Sequence, residues 1–282
     1  MQKNLVYICC GVVVLLSVVG MLFLHPNQKS LRASVVTAIP LASTTTTHTT
    51  STSTTLLHIP IFIYHSVKPD TATETQMQKD YSITPEMFEQ QLQYLSEHGY
   101  TPISMDELAR ELRAGTTSPI AKPVVLGFDD GWKNQYVYAF PLLKKYHMLA
   151  VFYIYTNPPT IGDARFMTWE QIKEIDAAGM EIADHTVTHP YMQKLTPEGV
   201  QHEVLDGKKK LEAELGKPVV HFASPFGYTS PELVALLKDA GFETGRTGHM
   251  GAWHSEADTL TLTGYYIHRD LKDFEFILTR AK

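Results

Sequence analysis

Four short stretches hold residues able to do chemistry. The first, Val124-Val125-Leu126-Gly127-Phe128-Asp129-Asp130-Gly131, ends an apolar run in two adjacent carboxylates. Like charges at that range raise one pKa unless a cation intervenes. Asp-Gly is equally an ordinary turn dipeptide. The second, Met180-Glu181-Ile182-Ala183-Asp184, runs into His185-Thr186-Val187-Thr188-His189-Pro190. Two His four residues apart share one side of a helix or of an extended strand, and Pro190 argues against a long helix here. Neutral imidazoles at this spacing can chelate a divalent ion. A carboxylate such as Asp130 would complete three protein ligands with an open water position, the pattern of catalytic zinc. Two exposed loop histidines are the plainer alternative. The third stretch, Val219–Tyr228, ends in Pro225-Phe226-Gly227-Tyr228. This is a tight turn whose backbone N–H groups and aromatic wall could line a pocket, or could merely join a strand to a helix. In the fourth, His65 follows the apolar run Ile59–Tyr64, where a histidine is more often a structural hydrogen-bonder than a catalyst.

The elements that must position these residues alternate along the chain. Strand candidates are Ile59–Tyr64, Val124–Phe128, Ala150–Tyr155, Met180–Ala183, Val219–Ala223 and Tyr265–Ile267. Between them stand helix signals. Thr84-Pro85-Glu86 opens a helix that Gly99 closes, and Ser104-Met105-Asp106-Glu107 reads as a capping box ending at Gly115. Thr168-Trp169-Glu170-Gln171 is a second box, ending at Gly179, while Thr196-Pro197 and Ser230-Pro231 place Pro at the first helical position with Gly216 and Gly241 as stops. Strand–helix alternation of this kind predicts a parallel sheet, either an eight-fold-like barrel or an open doubly wound sheet. In both, the active site lies at the C-terminal ends of the strands, where all four stretches fall.

The chain has 282 residues, with 24 Lys+Arg against 30 Asp+Glu and a formal charge of -6, which gives no basic footprint for nucleic acid. Its 44% hydrophobic and 19% charged content are those of a globular protein. The two cysteines, Cys9 and Cys10, sit in the N-terminal apolar run, so the remainder has neither a disulfide nor a thiolate ligand. Leu5–Leu24 carries no formal charge and has the length of a bilayer-crossing helix. No small-residue cleavage site closes it, so residues 1–25 read as a signal anchor, with a secreted form if the segment is cleaved. Residues 26–56 lose periodicity in a Thr/Ser tract, Thr44–Thr47 and Thr49–Thr55, and read as a solvated linker. The catalytic domain is expected over 57–282, outside the cytoplasm.

Taken in order, Phe128-Asp129-Asp130-Gly131, His185-Thr186-Val187-Thr188-His189-Pro190 and Ser224-Pro225-Phe226-Gly227-Tyr228 resemble the polysaccharide deacetylases of the NodB-homology family, carbohydrate esterase family 4. The opening Tyr64-His65-Ser66-Val67 is similar to the branch that includes poly-N-acetylglucosamine deacetylases. The resemblance spans roughly Ile59 to the C-terminus. It implies a distorted (β/α) barrel with fewer than eight complete units, preceded here by the transmembrane helix. By the same resemblance Asp130, His185 and His189 match ligands of one divalent metal ion, zinc first, with cobalt, nickel or manganese as alternatives. Asp129 matches the general base and His65 the general acid. Pro225, Phe226, Gly227 and Tyr228 match a substrate-binding turn whose N–H groups would receive the oxyanion. Three positions depart from the pattern. Asp184 stands where the family usually has Asn, adding negative charge beside the metal. Ala223 stands where many members have an Arg that steadies the base. No Arg lies near Gly264, for which Arg269 is the substitute offered.

The resemblance implies removal of N-acetyl groups from an N-acetylglucosamine polysaccharide, with no protein partner evident. A polysaccharide O-acetyl esterase using the same residues is the first alternative. A non-catalytic carbohydrate-binding descendant is the second, although a base retained beside a full ligand set argues against it.

Overall fold

Pro123–Phe128 is buried along its whole length, as a strand of a parallel sheet covered on both faces must be. It belongs to the main sheet, whose continuous run is β1 Ile61–Tyr64, β2 Pro123–Phe128, β3 Val151–Ile154, β4 Glu181–Asp184, β5 His221–Ala223, β6 Thr244–Arg246 and β7 Tyr265–Tyr266, with the two-residue strand Thr101–Pro102 paired to the start of β2. The computed structural model describes residues 55–116, 118–267 and 270–280. Leu5–Leu24, all but the last two residues of the 26–56 linker, and Arg269 lie outside these described residues. Among the described residues no helix is long and apolar enough to cross a membrane.

The strands lie in the order β6-β5-β4-β3-β2-β1-β7, every neighbour parallel. Leu262 bridges Arg246 of β6, and three residues later Tyr265 pairs with Phe62 of β1. One short segment therefore links both edges of the sheet and curls it into a distorted barrel short of eight units. The open doubly wound alternative does not form. The longer helices among the described residues are α1 Pro85–Glu97, α2 Met105–Ala114, α3 Phe140–Lys145, α4 Trp169–Ala177, α5 Pro197–Leu215, α6 Pro231–Asp239 and α7 Leu271–Arg280, and single turns at Gln76–Asp80 and Asn157–Ile161 are shorter still. Thr84, Thr168, Thr196 and Ser230 cap α1, α4, α5 and α6, and left-handed Gly115 and Gly216 end α2 and α5.

Strand side chains alternate between two faces. Ile61, Val125, Val151, Tyr153, Ala183 and Ala223 join one apolar cluster with Met105, Leu108 and Leu112 of α2. Their alternates Phe62, Tyr64, Val124, Leu126, Phe128, Phe152 and Ile182 join another with α1, α3 and α4. Continued past the strand ends, the first parity reaches His65, Asp129 and His185, and on β6 it includes Arg246. Period two thus carries four polar side chains to one mouth of the barrel.

Two expectations are corrected. Thr244–Arg246 is absent from the expected strands because it has no apolar run and a central glycine. That glycine is needed, since a Cβ on Gly245 would lie 2.7 Å from the Leu260 carbonyl oxygen. Ser104 caps Glu107 N–H, but the reciprocal half of the box does not form, because the Glu107 carboxylate pairs with Arg110. The α2 N–H groups of Met105 and Asp106 are taken instead by Glu181, 2.6 and 3.0 Å away.

Candidate active site

His65, Asp129, Asp130, His185, His189 and Phe226 line one cavity of about 550 Å³ at the C-terminal mouth of the barrel. Asp130 would point away from it by strand parity. It turns back because it adopts a left-handed φ of 76°, and Thr186, His189 and Phe226 do likewise at 74°, 56° and 53°. Among the described residues six non-glycine positions have positive φ, and these four fall at the site. Each costs about 1–3 kcal/mol and persists only where its surroundings over-determine it.

Asp130 Oδ1 lies 3.6 Å from His185 Nε2 and 3.3 Å from His189 Nε2. Two ligands on a tetrahedral zinc, each bonded at about 2.0–2.1 Å, stand roughly 3.3 Å apart. The three side chains therefore fit a small divalent cation. Their outer contacts fit as well. His185 Nδ1–H donates to the Ala223 carbonyl at 2.7 Å, which leaves Nε2 as the free lone pair. Trp132 Nε1–H donates to Asp130 Oδ2 at 2.9 Å, leaving Oδ1 for the cation. Burial, reinforced by His185 beside it, pushes His189 down to about 4, so it stands as the neutral imidazole a metal requires. Burial works against the Asp130 carboxylate, but the neighbouring histidines hold it well below the usual range.

Asp129 is 4% exposed and lies against Arg246, itself 2% exposed. Arg246 Nη2 sits 2.5 and 2.6 Å from the two carboxylate oxygens. Burial alone would raise the Asp129 pKa, and the Arg246 guanidinium foremost outweighs it, so the carboxyl is held below its ordinary value. Arg246 is the residue that sequence reasoning missed when it offered Arg269. Its one signal was its place, next in the strand–helix alternation after the Gly241 stop. Gln135 was missed too. Fully buried in the π-helical turn Gln135–Ala139, its Nε2 donates to the carbonyls of His65 and Asp129, 2.6 Å each, and ties the ends of β1 and β2 together. The His65 ring stands between Tyr81 and Tyr266, with centroids at 5.1 and 5.8 Å.

The turn after β5 divides its expected roles. Phe226 faces the cavity, whereas Pro225 is buried and Tyr228 packs against the cluster around Phe222. Gly227 and Tyr228 donate their N–H groups to Ser224 and Pro225, so of the three only Phe226 N–H is unspent. Asp184 is corrected as well. It is fully buried, and burial raises its pKa well above the usual carboxylate range, which opposes the negative charge expected at this position. The second grouping of candidate ligands, Asp106, Glu181 and His221, sits at the opposite end of the barrel. Its groups are already committed, Glu181 to the α2 N–H groups and His221 to Asp106 and Thr244.

The family model for polysaccharide deacetylase matches residues 116–245. The Streptococcus pyogenes deacetylase PplD, solved in complex with acetate, superposes with a TM-score of 0.73 at 30% identity, over 78% of this chain and 97% of that one. The Bacillus subtilis (strain 168) protein YxkH is 29% identical over 194 residues, 69% of this chain and 66% of its own. The poly-beta-1,6-N-acetyl-D-glucosamine N-deacetylase of Escherichia coli (strain K12) is 30% identical over 142 residues, 45% of this chain and 20% of its own. Each of these two curated relatives is matched over less than two thirds of its length. The chain belongs to the polysaccharide deacetylase family.

Proposed function

We propose that this chain is a metal-dependent N-deacetylase of an N-acetylglucosamine polysaccharide. The observation that carries the reading is the convergence, in one cavity, of a three-residue cation site with the buried Asp129–Arg246 pair. A pure carbohydrate binder has no use for an ionised, arginine-held carboxylate beside a metal site. Aromatic side chains of Tyr81, Trp132, Phe226 and Tyr266 line the same cavity and suit the apolar faces of a sugar ring.

Asp130, His185 and His189 would hold the ion, zinc being the first choice by ligand type. When bound, a divalent ion supplies Lewis-acid polarisation of the acetyl carbonyl. Asp129 accepts the proton of the attacking water, and Arg246 keeps that carboxylate ionised and oriented. Phe226 N–H donates to the acetyl oxygen as it gains charge. His65, across the cavity, gives its proton to the sugar nitrogen, which is otherwise a very poor leaving group. The apolar run Leu5–Leu24 is proposed to anchor the protein with this domain outside the cytoplasm; a cleaved segment would release it.

Acetate release from an N-acetylglucosamine oligomer tests the reading. One free amine should appear per acetate, and chelator should abolish both. His65→Ala should cost about 10²–10⁴ on this amide, the usual worth of acid–base catalysis, and far less on an activated aryl acetate. Acetate released from an O-acetylated polysaccharide, with none from the N-acetylglucosamine oligomer, would make the chain an O-acetyl esterase. Equal losses on amide and ester would remove His65 from the acid role.

A further inference from the structure

The loop joining His185 to His189 is held from behind by helix α5. Glu203 of that helix accepts three hydrogen bonds from it. The N–H groups of Val187 and Thr188 donate to one carboxylate oxygen at 2.9 and 2.8 Å, and the Thr188 hydroxyl donates to the other at 2.7 Å. One helical turn on, at Gly207, α5 comes closest to the loop. A Cβ there would lie 2.6 Å from Asp184 Oδ1 and 3.0 Å from the Thr186 carbonyl carbon. Glycine weakens a helix interior relative to alanine, so its place within the 19 residues of α5 reflects that approach.

The loop needs such support. Thr186 and His189 both hold left-handed φ, which a β-branched residue in particular resists. Within the loop itself, Thr186 N–H donates to Asp184 Oδ1 at 2.9 Å and His189 N–H to Thr186 Oγ1 at 3.1 Å. Those bonds close the turn, and on the barrel side Thr156 and Asn157 N–H donate to the Thr186 and Val187 carbonyls at 3.1 and 2.9 Å. On the helix side Glu203 grips Val187 and Thr188, two of the three residues between the histidines.

We infer that Glu203 and Gly207, four residues apart on α5, are positioning residues for the metal centre. They clamp the His185–His189 loop in its ligating shape before the ion arrives, and so set affinity without touching the ion. The inference rests on the reading of Asp130, His185 and His189 as ligands. Partners of metal ligands are typically worth 10–100-fold in affinity. Geometry and charge are separable at this position. Glutamine can accept both N–H groups at its amide oxygen and donate its NH₂ to the Thr188 hydroxyl, so Glu203→Gln keeps the grip and discards the charge. Glu203→Ala discards both.

The test is Zn²⁺ titration of the full chain in detergent, against a chromophoric chelator, with the visible spectrum of the Co²⁺ form as a report on ligand geometry. The wild type should bind one ion. Glu203→Ala should bind about 10–100-fold more weakly with altered Co²⁺ bands, while Glu203→Gln should stay within about threefold with the wild-type spectrum. Wild-type affinity in Glu203→Ala overturns the clamp, and so does a Glu203→Gln variant as weak as Glu203→Ala, since charge would then be the cause. If Glu203→Ala does not fold, Thr188→Val and Gly207→Ala carry the test, and unchanged Zn²⁺ affinity in both overturns it. His189→Ala is the companion arm. If it binds as tightly as the wild type, the ligand assignment fails and this inference with it. If it binds nothing while Glu203→Ala binds normally, the clamp alone fails.

Discussion

Replacing Arg246 by methionine, a side chain of similar length without charge, isolates what the buried ion pair does. Arg246 and Asp129 are 2% and 4% exposed, and a single guanidinium nitrogen reaches both carboxylate oxygens. That places the pair far from the surface regime, in which an ion pair is worth about 0–1 kcal/mol. Removing one member of a buried pair leaves the other charge uncompensated and costs about 3–5 kcal/mol. At about 2–4 °C per kcal/mol for a domain of this size, the melting temperature of Arg246→Met should fall by roughly 6–20 °C. Asp129→Asn should also destabilise, because it strands the Arg246 cation. The double variant buries no charge at this place and should lose less than the two single losses summed, by a coupling energy of about 1–3 kcal/mol. Dependence on pH adds a second signature. The Asp129 pKa is depressed in the folded state, so its stabilisation is present above the ordinary carboxylate range and is lost as pH falls through the depressed value. Without Arg246, burial would push that pKa up instead, and the cost of the variant should be greatest at neutral pH and shrink toward acid as Asp129 takes up a proton. Thermal melts of the four proteins from pH 5 to 8, in chelator, measure both effects. Single-variant losses that add within about 0.5 kcal/mol, or a gap that does not narrow toward acid, would refute the reasoning.

His254 is 1% exposed and neither of its ring nitrogens has a hydrogen-bond partner. Burial lowers it from 6.5 to about 4. A base lowered in the folded state contributes stability above its ordinary value that is lost as pH falls from 6.5 toward 4. His254→Phe should flatten that part of a plot of melting temperature against pH; a curve shifted by a constant offset would refute the assignment. For topology, protease added to intact cells should release the domain by cutting in the Thr/Ser tract Thr44–Thr55, and protection until lysis would sink the extracytoplasmic placement.

Much of this site could be read from local pattern, for physical reasons that are themselves local. Val124–Phe128 and Ala150–Tyr155 are apolar on both faces, which marks parallel strands within short range of their own residues. Thr or Ser before Pro marks the helix starts, and period two then places His65, Asp129 and His185 at the strand ends without reference to any distant residue. Asp130, His185 and His189 could be named because two histidines four apart and a carboxylate pair are uncommon in combination. The tertiary structure decided what depends on residues far apart in sequence. Arg246 reaches Asp129 across 117 positions, from a three-residue strand whose glycine hides it from any hydrophobic pattern. The burial that opposes a charge on Asp184 comes from packing beneath α5, and Phe226 faces the cavity from a left-handed backbone position in its turn. Glu203 grips the His185–His189 loop from a helix whose own sequence is an ordinary amphipathic one. A side chain's type shows the chemistry it can do, while the partner that holds it in position is supplied by the fold.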